Sequence, residues 1–199
     1  MAFNFGATIE ILWFLFLAYW LFAARRVNRM RTREPVWHRL SYLLLIVFAV
    51  ILFSSDARWF GILNRRFVPW SYWIADAGVP LTAAGIGFAI WARNHIGRFW
   101  SATVAIREEH QLIRTGPYAR IRHPIYTGIL VALVGTALVV GTCRGVLAFL
   151  LILSSLAFKA RREEALLTRE FGPAFDDHRR HTGFFLPRFP DSNENARST

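Results

Sequence analysis

Five apolar segments constrain the fold of this chain more than any other feature of its sequence. They cover residues 7–24, 40–53, 72–92, 125–143 and 145–160. A helix needs about 20 apolar residues to cross the hydrocarbon core of a membrane, so the second and fifth segments are short. The second can extend to Arg58 or be re-entrant, and we expect the fifth to continue past the membrane surface. The sequence therefore predicts an all-α, polytopic membrane protein with about five transmembrane helices.

The distribution of arginine predicts how these helices are oriented. Arginines crowd the first and third connections and the C-terminal segment, whereas the fourth connection contains only Arg144 and none precedes Arg25. Because loops on the cytoplasmic side carry an excess of Lys and Arg, we expect the N-terminus outside and the C-terminus in the cytoplasm. The second connection departs from this pattern, with Arg58, Arg65 and Arg66.

The composition excludes several classes of protein. The chain is 54% hydrophobic over 199 residues and still carries a net charge of +11, which fits an apolar part in lipid and charged loops. It has no long polar domain that could present a nucleic-acid-binding face, so we expect membrane lipids and no nucleic acid as partners. Cys143 is the single cysteine, which excludes an internal disulfide and a metal site of several thiolates. No metal site is predicted.

Small residues inside two of the apolar segments predict close packing of helices. Small side chains let neighbouring helix backbones approach each other within a membrane. The residues in question are Ala83, Ala84, Gly85, Gly87, Gly128, Gly135 and Gly141.

A polar stretch, "RTGPYARIRHP", leads directly into the fourth apolar segment. Taken singly, its residues have structural explanations: Arg122 reaches the headgroups, His123 caps the helix, and Tyr126 joins an interfacial aromatic belt. These explanations account less well for the set, because Tyr118 and the other three crowd one helix entrance. Pro124 suits the first position of a helix, where its ring presets the backbone angle.

A second charged cluster, "REEALLTREFGPAF", follows the fifth segment. Lys159 and Glu163 are four residues apart and therefore lie on one helix face. A solvated row of charges would explain a lone Glu–Glu pair equally well. We expect a helix at the membrane surface that breaks near Gly172-Pro173.

The short connection between the fourth and fifth segments brings the two clusters together. These two segments meet at residues 142–145, and so short a junction forces an antiparallel helical hairpin. We therefore expect Glu163 and Glu164 to face the entrance that holds His123 and Tyr126. Such a cavity at the membrane surface suits a cationic cofactor and an amphiphilic substrate.

These clusters resemble those of the integral-membrane methyltransferases of the isoprenylcysteine carboxyl methyltransferase type. The resemblance rests on "HQLIRTGPYARIRHPIYTG" and "REEALLTREFGPAF", and covers roughly the C-terminal half of the chain. It implies S-adenosylmethionine as methyl donor, held in a C-terminal cytoplasmic region, and a lipid substrate that enters from the bilayer. The expected organisation is three transmembrane helices over 1–93, a catalytic region over 94–190 and, from its polar composition, a disordered tail over 191–199.

The resemblance also implies individual site residues. Cofactor contacts are implied for His110, Gln111, Leu112, Ile113, Tyr118, His123, Pro124, Ile125, Tyr126 and Glu163, and the hairpin adds Glu164. Lys159 takes the place of an arginine that binds substrate in eukaryotic relatives, and lysine lacks the bidentate grip of arginine on a carboxylate. Arg98, Arg122 or Lys159 could orient a substrate carboxylate.

The activity expected from this resemblance is methylation of a lipophilic acceptor within the membrane, by carboxyl O-methylation of the isoprenylcysteine type. A carboxylate is already ionised near pH 7 and needs no general base. A phospholipid amine acceptor would need one, for which His123 or a glutamate is the candidate. A nicotinamide-dependent enzyme related to sterol reductases and a non-enzymatic membrane scaffold are further alternatives. The identity of the acceptor and the oligomeric state stay open.

Overall fold

The computed structural model describes residues 4–24, 36–53, 58–69, 71–97 and 112–189. Over these ranges the chain is helical, as predicted, and two 3-10 turns precede the third and fourth α-helices, at Arg58–Asn64 and Gly116–Ala119. The α-helices are α1 (Phe5–Ala24), α2 (Val36–Phe53), α3 (Tyr72–Ile96), α4 (Pro124–Val140), α5 (Cys143–Phe171) and α6 (Pro173–His181). Three predicted site residues and the predicted disordered tail lie outside the described ranges: Arg98, His110, Gln111 and residues 191–199.

The five apolar segments all form helices. Of these helices, α1, α3 and α5 are long and apolar enough to cross a membrane, whereas α2 and α4 hold the shorter apolar stretches Leu43–Phe53 and Pro124–Val140. The described part of the chain therefore has the architecture of an all-helical, multi-pass membrane protein. The second helix is described from Val36 to Phe53, so it begins before its apolar segment. Residues 54–57, over which it could extend toward Arg58, lie outside the described ranges.

Glycine sets the ends of α4 and α5. Gly141 adopts the left-handed conformation (φ 65°) and donates its N–H to the carbonyl oxygen of Ala137 at 2.8 Å, so α4 ends three residues earlier than predicted. Gly172 has φ 49° and separates α5 from α6 at the predicted break. Pro124 is the first residue of α4, also as predicted.

Close packing of α3 against α4 depends on glycine. A Cβ atom at Gly85 would lie 2.6 Å from the carbonyl oxygen of Gly128, and one at Gly135 would lie 2.6 Å from the backbone nitrogen of Thr82. The indole N–H of Trp13 on α1 donates to the Thr136 hydroxyl at 3.0 Å, which joins a third helix to the pair. The predicted helix packing is confirmed at these glycines.

The packing prediction is wrong for the other small residues. Ala83 and Ala84 are exposed, and a Cβ at Gly87 would meet no atom within 4 Å. With 3.6 residues per turn, these three positions lie on the opposite side of α3 from Gly85. They therefore point away from α4. Gly141 lies beyond the end of α4 and acts as its cap.

Two arginines at the end of the molecule opposite to the α4 entrance bind helix ends. The guanidinium of Arg144 donates to the carbonyl oxygen of Leu52 at 2.8 Å, near the end of α2, and that of Arg66 donates to Val140 at 3.4 Å, at the end of α4. The last carbonyls of a helix lack partners within the helix and attract cations. This contact gives Arg66, one of the arginines that departed from the charge pattern, a structural role.

Candidate active site

The turn before α4 places Tyr118 inside the protein. Gly116 has φ 58° and lies so close to the His95 ring that a Cβ would meet it at 2.6 Å. The Tyr118 ring stacks on His95 with centroids 6.3 Å apart, and its hydroxyl donates to the carbonyl oxygen of Ala92 at 3.4 Å. Burial raises the pKa of Tyr118, and the carboxylate of Glu163 raises it further. Tyr118 is therefore uncharged and forms one side of the site.

Arg122 bridges three parts of the chain. Its Nε donates to Glu164 Oε1 on α5 at 2.5 Å, and its Nη1 donates to the carbonyl oxygens of Arg179, at 3.2 Å, and of Thr182. The Arg122 side chain is only 12% exposed. The guanidinium is thus engaged by protein groups and holds α5 and the end of α6 against the α4 entrance, instead of reaching the headgroups.

His123 lies between the two glutamates. Its Nε2 is 3.1 Å from Glu164 Oε1, and its Nδ1 is 3.7 Å from Glu163 Oε2. The ring stacks on Tyr126 with centroids 5.6 Å apart and an interplanar angle of 9°. His123 occupies the N-cap position of α4, but its side chain makes no capping hydrogen bond. Capping therefore does not account for this residue.

Tyr126 and Glu163 form the contact that the hairpin predicts. The Tyr126 hydroxyl donates to Glu163 Oε1 at 2.7 Å, and Lys159 Nζ lies 5.5 Å from the centre of the Tyr126 ring. Tyr126 is buried, so it does not belong to an interfacial aromatic belt. The Glu163 side chain is 23% exposed and that of Glu164 is 14% exposed. Because a carboxylate has about four lone-pair sites, Glu163 can accept further hydrogen bonds from a ligand.

The segment after α6 closes one side of the site. The carbonyl oxygens of Gly183 and Phe184 accept the N–H groups of Arg122, at 2.9 Å, and His123, at 3.3 Å. The Phe184 ring packs edge-on against His123 with centroids 5.0 Å apart. The sequence does not predict this contact of Phe184-Phe185, because nothing in the local pattern signals pairing with the α4 entrance.

The remaining predicted residues lie around this cluster without polar contacts to it. Pro124 and Ile125 are buried in the first turn of α4, and Leu112 and Ile113 are half-buried before the turn at Gly116. Ile113 packs against the core cluster that contains Tyr118 and Tyr126. The structure brings together, in direct polar or ring contact, Arg122, His123, Tyr126, Lys159, Glu163 and Glu164.

A buried histidine lies behind the site. Burial, followed by the positive charges of Arg114 and Arg122, lowers the pKa of His178 on α6 from 6.5 to about 4. Arg114 in turn pairs with Asp177 at 3.2 Å. Neutral His178 therefore belongs to the packing between α6 and the polar stretch before α4. Across the described ranges, no group of three His, Cys, Asp or Glu side chains is placed to hold a metal ion.

Comparison with known proteins gives these features a family context. The nickel-cobalt-cadmium resistance protein NccN of Alcaligenes xylosoxydans xylosoxydans is 34% identical over 58% of this chain and 53% of its own length. The cobalt-zinc-cadmium resistance protein CzcN of Cupriavidus metallidurans is 29% identical over 79% of this chain and 65% of its own length. The chain thus spans about half to two thirds of these relatives.

Methyltransferases are also among the similar proteins. Protein-S-isoprenylcysteine O-methyltransferase of Schizosaccharomyces pombe is 31% identical over 47% of this chain and 41% of its own length. The solved structure of the eukaryotic intramembrane Ras methyltransferase ICMT has the same fold, with a TM-score of 0.55 and 24% identity over 74% of this chain and 52% of that chain. The Phospholipid methyltransferase family matches residues 73–174, about half of the chain, which includes Arg122, His123, Tyr126, Lys159, Glu163 and Glu164. The chain belongs to this family of phospholipid methyltransferases and isoprenylcysteine methyltransferase homologues.

Proposed function

We propose that this chain is an S-adenosylmethionine-dependent methyltransferase that acts on a lipophilic acceptor within the membrane. The observation that carries the proposal is the contact between Tyr126 and Glu163, with His123 stacked on the tyrosine, at the entrance of α4. A partly exposed carboxylate beside electron-rich rings suits a ligand with positive charge. The family supports the same class of reaction.

The two glutamates suit different tasks. Glu164 Oε1 already accepts hydrogen bonds from Arg122 and His123, so we assign this residue to positioning. Glu163 is more exposed and keeps acceptor capacity for the amine or the ribose hydroxyls of the methyl donor. His110 and Gln111, which precede the described turn, are proposed further contacts on the strength of the resemblance. When bound, the donor supplies a methyl group activated on a sulfonium.

The residues of the chain would act mainly by positioning and by excluding water. Methyl transfer is an in-line displacement, and holding both reactants in line lowers the barrier without acid or base chemistry. Tyr118 and Phe184 bound the charged cluster on two sides. We expect these rings to keep water away from the reacting atoms, which strengthens the electrostatic contacts inside.

For the acceptor, we propose a carboxylate of the isoprenylcysteine type. Lys159 lies beside Tyr126 and is half-buried, so its ammonium can attract a carboxylate that arrives along α5 from the lipid. The Arg122 guanidinium already binds Glu164 and two carbonyls, so we assign the orienting role to Lys159 and a positioning role to Arg122. Arg98 remains a second proposed contact for the substrate carboxylate.

A phospholipid amine is the second candidate acceptor. The observation that favours it is the proximity of His123 Nδ1 to Glu163 Oε2, at 3.7 Å, because such a pair could accept the proton that an amine loses on methylation. The pH dependence of turnover separates the two acceptors. An amine acceptor gives a rate that rises with pH through the titration of its base, and a carboxylate acceptor gives no such rise.

The membrane topology forms part of the proposal. We propose five spans, with the N-terminus outside and the site facing the cytoplasm, because the hairpin of α4 and α5 places both clusters at one membrane surface. The short apolar stretches of α2 and α4 would then require local thinning of the bilayer or polar flanks at the interface. Cysteines introduced singly at Arg65, an exposed residue of the second connection, and at Arg180, each in a Cys143→Ser background, are probed with an impermeant thiol reagent in sealed vesicles to test the sidedness.

Calorimetry with the purified protein tests the proposed cofactor. We expect micromolar binding of S-adenosylhomocysteine to the wild type, at least about tenfold weaker binding to Glu163→Ala, and unchanged binding to Glu170→Ala. Glu170 is a matched control because it is an exposed carboxylate two turns further along α5. A folded wild-type protein that binds neither S-adenosylmethionine nor its product would overturn the proposal, and nicotinamide cofactors would be tested next.

A further inference from the structure

Four exposed side chains form a basic-apolar patch next to the site: Arg120, Leu186, Arg188 and Phe189. Leu186 is 77% exposed and Phe189 is 59% exposed, although both lie outside the membrane-spanning helices. Large apolar side chains that stay exposed beside charged ones mark surfaces that contact a partner or a membrane. The patch therefore needs an explanation other than packing within the chain.

The two arginines of the patch lack the carboxylate partners that nearby arginines have within the described ranges. The Arg120 guanidinium lies 4.9 Å from the centre of the Phe189 ring. Neither Arg120 nor Arg188 forms a salt bridge with any carboxylate in the described ranges. The other arginines of the surrounding segments do have carboxylate partners: Arg114, Arg122, Arg179 and Arg180. The patch thus offers positive charge to an anion outside the chain.

The position of the patch identifies the anion. Arg120 lies four residues before the first residue of α4, where the proposed topology takes the chain from water into the hydrocarbon. We propose that the basic-apolar patch docks on acidic phospholipids of the adjacent leaflet, with Leu186 and Phe189 at the boundary of the acyl chains and the two arginines on the phosphates. Apolar side chains next to arginine are the combination that binds such a surface.

The backbone connects this patch to the site. The carbonyl oxygen of Arg120 accepts the N–H groups of Gly183, at 3.0 Å, and Arg188, at 3.1 Å, and the N–H of Arg122 donates to Gly183 at 2.9 Å. Lipid that holds the patch would therefore also hold Phe184 against His123. It follows that acidic lipid tightens cofactor binding, a consequence that rests on the proposed function.

Hydrogen exchange in lipid nanodiscs tests the docking without reference to a cofactor. The comparison is between phosphatidylcholine alone and a mixture with one third phosphatidylglycerol. We expect the peptide over residues 183–189 to exchange more slowly with the acidic lipid, by about fivefold for each arginine engaged. The difference should disappear in Arg120→Gln/Arg188→Gln and persist in Arg120→Lys/Arg188→Lys.

The matched control is Arg179→Gln/Arg180→Gln, which removes the same charge from two arginines that have carboxylate partners on α6. Equal exchange of wild type in both lipids, or equal loss of the lipid effect in the control, would overturn the docking. If a Gln pair misfolds, Leu186→Ser/Phe189→Ser gives a second test, with loss of the lipid effect expected and its full retention contradicting the docking.

Calorimetry with S-adenosylhomocysteine in the same nanodiscs tests the coupling. We expect binding to be about fivefold tighter with phosphatidylglycerol. Equal binding in both lipids, together with lipid-dependent exchange, would overturn the coupling and leave the docking in place. No binding in either lipid, with lipid-dependent exchange, would count against the proposed function alone.

Discussion

The hydroxyl of Tyr126 and the carboxylate of Glu163 form a 2.7 Å hydrogen bond between residues 37 positions apart. The bond joins the first turn of α4 to the C-terminal part of α5, which follows the apolar segment of that helix. Both residues are on the faces that the hairpin turns toward each other. The bond fixes the carboxylate beside the stacked rings of Tyr126 and His123.

Removal of this hydroxyl should weaken ligand binding more than it weakens the fold. In Tyr126→Phe we expect S-adenosylhomocysteine to bind about tenfold more weakly, because Glu163 loses the donor that orients it, and stability to fall by about 1 kcal/mol. Titration calorimetry and thermal unfolding in detergent measure the two effects. Tyr19→Phe removes another hydroxyl bond, to Asn94 at 2.6 Å, and should leave binding unchanged. Equal binding by the two variants would contradict the role of Tyr126.

The contact between Arg122 and Glu164 should show strong energetic coupling. Both side chains are mostly buried, so removal of one partner leaves the other without its charge partner. We expect a coupling energy of about 1–3 kcal/mol in a cycle of Arg122→Gln, Glu164→Gln and the double variant. The exposed pair Arg180 and Asp177 serves as the comparison, with an expected coupling below about 1 kcal/mol. Similar values for the two pairs would argue against a bridging role for Arg122.

Stability should fall as the pH is lowered from about 6.5 toward 4. The pKa of His178 is lowered from 6.5 to about 4 in the folded chain, first by burial and then by the charges of Arg114 and Arg122. The unfolded chain therefore takes up a proton in this window and the folded chain does not, so the stabilisation is complete above pH 6.5 and is lost as the pH falls to 4. Thermal unfolding as a function of pH measures it, and His178→Gln should flatten the slope. The exposed His181 provides the control variant, and a slope that survives in His178→Gln would refute this assignment.

Two glycines of α3 should respond in opposite ways to the same substitution. Gly85→Ala places a Cβ 2.6 Å from the carbonyl oxygen of Gly128, so we expect a loss of about 1–3 kcal/mol from overpacking against α4. Gly87→Ala meets no atom within 4 Å, and the better helix propensity of alanine should leave stability equal or slightly higher. Thermal unfolding of the two variants side by side gives the answer. Comparable losses in both would mean that α3 does not pack on α4 through Gly85.

Local sequence signals predicted the start of α4 and the break between α5 and α6. Proline at the start of α4 and glycine-proline between α5 and α6 act on their own backbone and on the adjacent turn, so their effect can be read without knowledge of distant residues. The same holds for the length and apolar character of α1, α3 and α5. The short connection after α4 was enough to predict that Glu163 approaches Tyr126.

Local signals did not predict contacts between residues that are distant in the sequence. The pairing of Gly183 and Phe184 with Arg122 and His123 depends on how α6 folds back from Gly172, and no periodic pattern encodes it. The small residues of α3 illustrate the same limit. Their composition indicated close packing, but only the position of α4 decided that Gly85 is in contact and Gly87 is not.

The sequence by itself determined that this chain is a helical membrane protein with a polar, aromatic entrance to its fourth helix and a family resemblance carried by two motifs. Tertiary structure decided how the charged residues divide their tasks. Glu163 and Glu164 are neighbours in sequence, but successive residues of a helix point about 100° apart, so one meets Arg122 and the other stays partly exposed beside Tyr126. Which carboxylate is left to meet a ligand depends on what packs against each face of α5, and that is a property of the assembled fold.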